Sequence, residues 1–589
     1  MSTAWPVTLS TLLTCLALAL VACTQPATPT PAGARAGETP PGAQKPGAAE
    51  GSPSTPSGPA AKPSGPAQAA LHGDQTLRIN IGSEPATIDP TLASFVDEAA
   101  IAQLVHAPLM SFDTRLQVVP GAAEKYTVSN DGLTYAFALR QGLTFSDGQP
   151  VKAQHYEYAW KRLLDPALAA EYASIAYVIK GAEEYNTADH RRLSAQQLQA
   201  LRDAVGVKAT DDSTLVFTLK HPAPYFVSIT ALWFSVPLRE DLIKKGGERW
   251  TEPETYAGSG PFVLKDWQHQ NKLVFEANPR YYRGKPRLER IEAVMINDPT
   301  VQRAAYLNGE LDLYEVGGED LATVERDPSL SKELLRWPGT CTYYIGFNAV
   351  RPPFDNLKVR QAFAATIDRE AYVRDIGRGL GKAAYSFVPP GLPGYQPALK
   401  QWTFSPQDGR RLLGDAGFAD PTKLPPITIT YSSNPRTKAR MEWLADQWKR
   451  ALGVEVKLDP VETKAYTELL KKPETTPQVF LLGWCADYPD PQNWLSVVFH
   501  SKSTIARTGW KNADFDALLD QADRLPDMNK RLELYNKAQG ILVEQAPVAF
   551  LLHSEHVFLK KTWVRDLHVS PIDSLPGIFG IEKTWIAKH

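Results

Sequence analysis

The chain has 589 residues, of which 43% are hydrophobic and 22% are charged. This composition is typical of a globular protein with two to four domains' worth of core. The formal net charge is only −2, and no run of lysine or arginine stands out. Such a chain lacks the long-range field that draws proteins to nucleic acids, so we expect no nucleic-acid partner.

Residues 1–22 predict an export signal. The apolar run TLLTCLALALVA is too short to span a bilayer comfortably and ends in small residues. The tetrapeptide LVAC that closes it resembles a bacterial lipobox, which implies cleavage before Cys23 and attachment of a diacylglycerol to its sulfur. The stretch MSTAWPVTLS in front carries no lysine or arginine, so a chance match remains the alternative.

Residues 23–72 predict a lipidated cysteine followed by a disordered tether. Proline, alanine, glycine, serine and threonine dominate, and no large apolar residue appears before Leu71. Such a segment cannot bury enough surface to fold. A tether of about 50 residues has a reach of roughly 40 Å. We therefore expect a globular body held to a bacterial membrane through a lipid anchor.

The four cysteines divide into two groups. Cys15 leaves with the signal and Cys23 takes the lipid, which leaves Cys341 and Cys485 as a candidate pair in an oxidising compartment. A bridge between them would close a loop of about 145 residues and contribute up to about 5 kcal/mol. The alternative is two separate buried thiols.

The body alternates short strands with helices. Leu77, Ile79 and Ile81 alternate with polar residues as in a strand, and VDEAAIAQLVHAPLM then predicts a helix. NDG and SDG are turn signals before a helical spacing that begins after Val151. GSGPFVLKDWQHQNKLVFEANPRYY predicts strand, turn and strand, and LADQWKRALGVEVKL a helix leading into a strand. The fold class is α/β or α+β.

A series of short motifs resembles the family-5 extracytoplasmic solute-binding proteins, the peptide-binding lipoproteins of ABC importers. In chain order they are EPATIDP, NDGLTYAFALRQGLTFSDGQPVKA, GSGPFVLKDW with ANPRYY, GELDLYE, PPFDNLKVRQAFAATIDRE, VPPGLPGY, LLGDAGF and GWCADYPDP. CTYYIGFN and GWCADY are most similar to the oligopeptide-binding branch, in which the two cysteines resemble a bridged pair.

The resemblance implies an α/β fold of the two-lobed periplasmic-binding-protein type, of the class with an additional third lobe. Its discontinuous lobes would be joined by hinge strands that include the segments around Cys341 and Phe558. The implied bounds are 73–106, 239–340 and 559–589 for the first ligand lobe, 107–238 for the additional lobe and 341–558 for the second ligand lobe.

The resemblance also implies a function. The protein would capture oligopeptides outside the cytoplasm and deliver them to the permease subunits of an ABC transporter. It would act as a monomer, without a cofactor, without a bound metal and without catalysis.

Asp487 is the central candidate of the site. It lies in GWCADYPDP between Trp484 and Tyr488, and the local sequence alone favours a turn residue before Pro489. The resemblance implies instead that Asp487 holds the α-ammonium of a peptide, because a carboxylate enclosed in a closing cleft strongly favours a paired cation. Trp484 and Tyr488 would then be cleft walls, although aromatics are as often core residues.

Further ligand contacts follow from the same resemblance. Gly483 and Cys485 would offer backbone groups to an extended peptide, as an edge strand does. Val96 on the first lobe, with Tyr343 and Tyr344 beside the bridge, would add backbone and wall contacts.

The partner of the peptide carboxylate stays open. Some oligopeptide-binding relatives have an arginine two residues before the glycine of this motif, where this chain has Leu481. Nearby candidates, each of which also fits a solvated surface charge, are Arg436, Lys438, Lys471 and Lys472.

Other functions are weaker alternatives. The sequence has no HExxH, GxSxG or CxxC motif, and HSEH at 553–556 has apolar neighbours that favour a strand over a zinc site. The same fold could bind a dipeptide, a nickel complex, an opine or a sugar, or serve as a peptide sensor or chaperone, because fold does not fix the ligand.

Overall fold

The computed structural model describes residues 71–472, 474–573 and 575–589. The predicted export signal, the lipobox with Cys23 and residues 23–70 of the predicted tether lie outside the described residues. In the part of the chain that the structure describes, no helix combines the length and the apolar character needed to cross a membrane.

The strands of the described residues fall mainly into three sheets. In chain order they are β1 Thr76–Asn80, β2 Met110–Phe112, β3 Val118–Pro120, β4 Ala123–Val128, β5 Thr134–Leu139, β6 Val207–Ala209, β7 Thr214–Thr218, β8 Phe262–Gln268, β9 Lys272–Ala277, β10 Arg290–Val294, β11 Leu313–Glu315, β12 Leu334–Phe347, β13 Lys382–Ala383, β14 Ile427–Ser432, β15 Val456–Val461, β16 Val479–Cys485, β17 Val548–Lys560, β18 Val564–Arg565 and β19 Trp585–Ile586.

Helices lie between the strands along most of the chain. They are α1 Val96–Val105, α2 Ala153–Leu163, α3 Ala182–Asn186, α4 Ala195–Ala204, α5 Phe226–Ile229, α6 Glu240–Gly246, α7 Pro299–Leu307, α8 Gly318–Arg326, α9 Leu357–Ala365, α10 Arg369–Asp375, α11 Pro406–Asp415, α12 Pro435–Leu452, α13 Thr463–Leu470, α14 Pro491–Phe499, α15 Ala513–Ala522 and α16 Met528–Gln545. A 3₁₀ helix at Glu171–Ala176 is important for the site.

The first sheet has the strand order β1-β10-β9-β8, in which β1 and β10 are parallel and the other pairs antiparallel. Leu77 and Ile79 of β1 are buried and alternate with half-buried Arg78 and Asn80, as the predicted strand pattern requires. β8 and β9 form the predicted strand, turn and strand. The second sheet, β4-β5-β7-β6, is antiparallel throughout.

The third sheet contains two strands of unusual length. Its order is β11-β17-β12-β16-β14-β15, and β13 adds to β17. β12 and β17 pair antiparallel from Leu334 opposite Leu559 to Gly346 opposite Val548, with an interruption of register between Pro338 and Thr342. β17 and β12 lie side by side between β11 on one side and β16 and β14 on the other. These two strands therefore position the strands on both sides of the sheet relative to each other.

Helix ends follow the local chemistry. The predicted helix from Val96 to Met110 stops at Val105, because Pro108 disfavours helical backbone in the residue before it and β2 begins at Met110. α12 ends where predicted, since Gly453 takes a positive φ of 73° and reverses the chain towards β15. Residues 553–556, the HSEH stretch, lie in β17 and therefore form a strand.

Candidate functional site

Asp487 lies in the short loop between β16 and α14, and both ends of this loop are fixed. At its start, Cys485 is joined to Cys341 by the predicted disulfide. At its end, Asp490 accepts a 3.0 Å hydrogen bond from the backbone N–H of Gln492 and so caps α14. The carboxylate of Asp490 also forms a buried ion pair with Arg531 of α16, at 2.7 Å. The backbone that carries Asp487 is therefore held firmly.

The side chain of Asp487 is held by neutral groups. The Asn493 amide donates a 2.8 Å hydrogen bond to Oδ2, and its carbonyl oxygen accepts 2.9 Å from the Asp487 backbone N–H. The Tyr172 hydroxyl lies 3.3 Å from Oδ2 and 3.4 Å from Oδ1. Among the described residues, no lysine, arginine or histidine nitrogen lies within 4.0 Å of this carboxylate.

Burial changes the pKa of this carboxyl group. It raises the pKa of Asp487 to about 7, against the smaller lowering effect of the hydrogen bonds from Asn493 and Tyr172. A carboxyl group in this state gains most from a cation that enters beside it, because the cation would compensate the charge that burial penalises.

Asp487 opens into a cavity of about 310 Å³, called here the Asp487 cavity. Its walls come from widely separated parts of the chain: 94–103 around α1, 232–233, 337–343 of β12, 482–487, 556–558 of β17, and 571–573 with 576–579 near the C-terminus. Phe112, Tyr172, Glu315 and Arg507 complete it. It is therefore assembled only by the tertiary fold.

One edge of β16 runs past this cavity without a strand partner. β16 pairs with β12 from Cys485 to Val479, but on its other side it pairs with β14 only at Val479 and Phe480. In the described residues, no strand covers the β14 side of β16 from Leu481 to Cys485. Gly483 lies in the middle of this stretch, where a Cβ would come within 2.8 Å of the Tyr343 ring.

The structure places most of the predicted ligand residues around the Asp487 cavity. Asp487, Trp484, Gly483, Cys485, Val96 and Tyr343 all line it. Val96 is 47% exposed and places an apolar side chain at the start of α1, beside the cavity.

Two predicted wall residues do not line the cavity. Tyr344 is buried in the core, where its ring packs edge-on to Phe387, because successive strand residues point to opposite faces and Tyr343 takes the cavity side. Tyr488 is completely buried and donates its hydroxyl hydrogen bond to Gln492 of α14. Both residues belong to the framework behind the site.

Two of the cavity residues that the sequence did not predict contact the site through polar groups. Tyr172 contacts Asp487 across 315 residues of sequence, and no local pattern marks it. Arg507 forms a buried ion pair with Glu171 at 3.3 Å, with 7% of each side chain exposed. This pair joins the 3₁₀ helix at Glu171–Ala176 to the segment after α14, close to the cavity.

A second cavity of about 470 Å³, called here the Arg440 cavity, adjoins the first. The two share Glu315, Tyr343 and His556 as lining residues. Its cationic side chains are Arg303, Arg378, Arg436 and Arg440.

The cations of the Arg440 cavity differ in their pairing. Arg303 lies 3.1 Å from Asp320, and Arg436 lies 2.6 Å from Glu319. Half-buried Arg440 has no carboxylate within 4.0 Å among the described residues.

Of the four cations proposed from sequence for the carboxylate end, Arg436 lines this cavity. Lys438, Lys471 and Lys472 line neither cavity. Lys438 lies 3.8 Å from Glu442, and Lys471 lies 3.0 Å from Glu468.

Three sheets, two long strands within the third and a cavity lined by a half-buried acid fit a solute-binding protein of the periplasmic-binding type. The model of the bacterial extracellular solute-binding proteins, family 5 (middle), matches residues 117–505, and the chain belongs to this family. The predicted α/β fold class is confirmed. Members of this family are transport binding proteins that act outside the cytoplasm.

Individual relatives cover most of the chain. The oligopeptide-binding protein OppA of Bacillus subtilis is 32% identical over 520 residues, 86% of this chain and 91% of its own. Haemophilus influenzae OppA, in complex with the peptide RPPGFSPFR, is 27% identical with a TM-score of 0.79 and covers 88% of this chain and 100% of its own.

The Escherichia coli murein tripeptide-binding protein MppA provides a comparison of two conformations. One structure is 28% identical with a TM-score of 0.81, and covers 88% of this chain and 100% of its own. Its unliganded open form, which covers 89% and 99%, gives a TM-score of only 0.60. The chain therefore superposes less well on that open form than on the other MppA structure.

Proposed function

We propose that this protein binds oligopeptides in extended form outside the cytoplasm, without covalent change, and delivers them to the permease of an ABC transporter. The observation that carries the proposal is the carboxylate of Asp487, which is enclosed at one end of a cavity with only neutral hydrogen-bond partners. An α-ammonium is a cation that every unblocked peptide brings, so Asp487 can recognise peptides irrespective of their side chains.

The backbone of the peptide would add to β16. Leu481 to Cys485 offer a strand edge beside the cavity, and an extended peptide can satisfy its backbone groups there as an additional strand. The carbonyl oxygen of Leu481 already accepts a 2.6 Å hydrogen bond from Tyr466, so the peptide would bond mainly to the residues around Gly483. Backbone recognition of this kind is also independent of side chains.

The peptide carboxylate would lie in the Arg440 cavity. Arg440 is half-buried and free of carboxylate partners among the described residues, and Arg436 lies four residues earlier on the same helix face. A peptide bound at both ends would run from Asp487 past Tyr343, which both cavities share. Of these two arginines, only Arg436 is among the four cations proposed from the sequence for the peptide carboxylate.

Closure of the lobes would enclose the peptide. We propose the lobe bounds implied by the family resemblance, 73–106, 239–340 and 559–589 for the first ligand lobe, 107–238 for the additional lobe and 341–558 for the second ligand lobe. The long strands β12 and β17 are the hinge candidates, because they extend between the first and second lobes and their register is interrupted beside Cys341.

The anchoring proposal concerns the chain before the described residues. We propose that Cys23 carries a diacylglycerol and that the following tether holds a monomeric body near the membrane. Cys23→Ser should then release a folded body into the soluble fraction. A variant that stays in the membrane fraction after an alkaline wash would contradict the anchor, and sedimentation of the released body at twice the expected mass would contradict the monomer.

Mass spectrometry of the native protein tests the peptide function. Protein purified from its own host without denaturation should release a mixture of short peptides on acid denaturation, and the emptied, refolded protein should bind a synthetic peptide of that mixture in calorimetry. Release of one non-peptide compound, with no heat from any peptide, would overturn the proposal.

A further inference from the structure

The wall of the Asp487 cavity is made largely of aromatic and aliphatic side chains. The largest apolar lining residues are Phe95, Phe112, the three tryptophans Trp233, Trp337 and Trp484, and Phe558 and Phe579. Several of these large side chains are only partly buried by the protein itself, among them Phe95, Phe558 and Phe579. Apolar surface left uncovered inside an enclosed cavity favours an apolar occupant.

The tryptophan N–H groups of this wall are already used within the protein. Trp233 donates to the carbonyl oxygen of Ala93 at 3.1 Å, and Trp337 donates to that of Ser570 at 3.2 Å. Trp484 donates to the side-chain oxygen of Asn493 at 3.3 Å. The indoles therefore present their apolar faces, and not their donors, to the cavity.

Other polar groups of the wall are similarly engaged. The Thr340 hydroxyl donates to Pro571 at 2.9 Å, the Tyr172 hydroxyl lies against Asp487, and Arg507 is paired with Glu171. Glu315, Tyr343 and His556 line both cavities, and their side chains have no hydrogen-bond partner among the described residues. A polar side chain that entered beside Asp487 would lose water and gain few hydrogen bonds.

Asp573 has an enclosed oxygen without a partner and is included in the test. Its Oδ2 accepts hydrogen bonds from the backbone of Ser570 and Gly577, whereas its enclosed Oδ1 has no partner among the described residues. An occupant with a basic side chain could reach this oxygen.

We propose that the Asp487 cavity selects peptides whose first residues carry large apolar side chains. The inference rests on the proposed function, because the α-ammonium at Asp487 is what brings the first residues into this cavity. A volume of about 310 Å³ is at the lower limit of ligand pockets, so it accommodates one or two side chains and not a whole oligopeptide. The rest of the peptide would lie in the more polar Arg440 cavity.

Calorimetry with matched tetrapeptides tests the proposal. Leu-Ala-Ala-Ala should bind about 10-fold to 150-fold more tightly than Asn-Ala-Ala-Ala, since leucine and asparagine have similar shapes and differ in the transfer of apolar surface from water. The same exchange at position two should have a similar direction, and at position four it should change affinity less than about 3-fold.

A substitution at the wall should change this selectivity. Val96→Asn places a polar group at the 47% exposed Val96 and should lower the preference for leucine over asparagine by about 3-fold or more. Val350→Asn is the matched control, because Val350 is 62% exposed and lies outside both cavities, and it should leave the preference unchanged.

The possible outcomes separate the inference from the function on which it rests. Equal, measurable affinities for the leucine and asparagine peptides would overturn the selectivity and leave the peptide function standing. Tighter binding of Lys-Ala-Ala-Ala than of the leucine peptide would also overturn it and would identify Asp573 as a second cation subsite. Absence of heat from every peptide up to about 1 mM would overturn both proposals.

Discussion

The Asp487 cavity and the Arg440 cavity share three lining residues but have opposite chemistry. The first holds an enclosed carboxylate among neutral partners and aromatic walls, and burial raises the pKa of that carboxyl group to about 7. The second contains several cations and carboxylates, many of them already paired and partly exposed to water. The half-buried Asp487 carboxylate has only neutral hydrogen-bond partners, whereas several cations and carboxylates of the second cavity are paired with each other, and paired charges in contact with water give weaker and more tolerant recognition. We therefore expect the ammonium end of a peptide to dominate affinity and the carboxylate end to tune it.

The largest expected effect is that of Asp487→Asn. Asparagine keeps the shape and the hydrogen bond from Asn493 but removes the negative charge, so the peptide ammonium would be buried without compensation. Peptide affinity should fall by about 30-fold to 1000-fold, or about 2 to 4 kcal/mol. Calorimetry with one unblocked tetrapeptide measures it, and a loss below 3-fold would show that the Asp487 cavity does not hold the ammonium.

The pH dependence of binding should come from the same cavity. Because the pKa of Asp487 is raised to about 7, the group must lose a proton before it can pair with an ammonium, and acid opposes binding. Between pH 7.5 and 5.5 the ionised fraction falls about 25-fold, so affinity should fall by a similar factor, while the peptide amine stays mostly protonated.

The matched control for the pH experiment is Asp487→Asn. This variant should show a much flatter profile over the same range, because it lacks the titrating carboxyl group. An equally steep profile in the variant would assign the titration to another group of the cavity, such as Asp573, whose pKa burial also raises to about 7.

A smaller effect is expected at the other end of the peptide. Arg440→Gln should lower the affinity of a peptide with a free carboxylate by about 5-fold to 10-fold, because half-buried Arg440 is partly screened by water. A C-terminally amidated peptide should bind the variant and the native protein equally. Lys438→Gln is the matched control on the same helix: Lys438 lines neither cavity and should have no effect. Equal losses in both variants would remove Arg440 from the site.

The smallest expected effect is that of Tyr172→Phe. The Tyr172 hydroxyl lies 3.3 Å from Asp487 and its hydrogen bond lowers the pKa of that carboxyl group, against the larger effect of burial. Its removal should move the midpoint of the pH profile upwards and lower affinity at pH 7 by about 3-fold. A lower affinity with an unchanged midpoint would assign Tyr172 to wall packing alone.

The resemblance of short motifs to a known family predicted part of the arrangement around Asp487, whereas the local sequence alone favoured a turn residue there. Cys341 and Cys485 are bonded, and Asp487 with its glycine and tryptophan lines the cavity. The same reasoning failed for Tyr344 and Tyr488, since a run of aromatics does not reveal which ring faces the core. The sequence pattern also predicted a helix that continues past Val105. The helix ends at Val105 because Pro108 follows three residues later.

The rest of the site depends on contacts between distant segments. Tyr172, Trp233 and Arg507 reach the cavity from parts of the chain that no periodicity connects to Asp487. For the peptide carboxylate the sequence offered four cations that did not include Arg440. Arg440 stands out only in the fold, where it lines the cavity and has no carboxylate within 4.0 Å among the described residues. The apolar character of the cavity likewise depends on the fold. The N–H groups of its tryptophans are satisfied by acceptors within the folded protein, so only the apolar faces of the rings are left to the cavity.

The most direct test of the account is a calorimetric cycle with native protein and Asp487→Asn, each titrated with one tetrapeptide and its N-acetylated form. Acetylation should cost the native protein about as much as the substitution does, and should cost the variant less than about 3-fold, because the two changes remove opposite halves of one interaction. Additive losses, or tight binding of the acetylated peptide to the native protein, would contradict the claim that Asp487 holds the peptide ammonium.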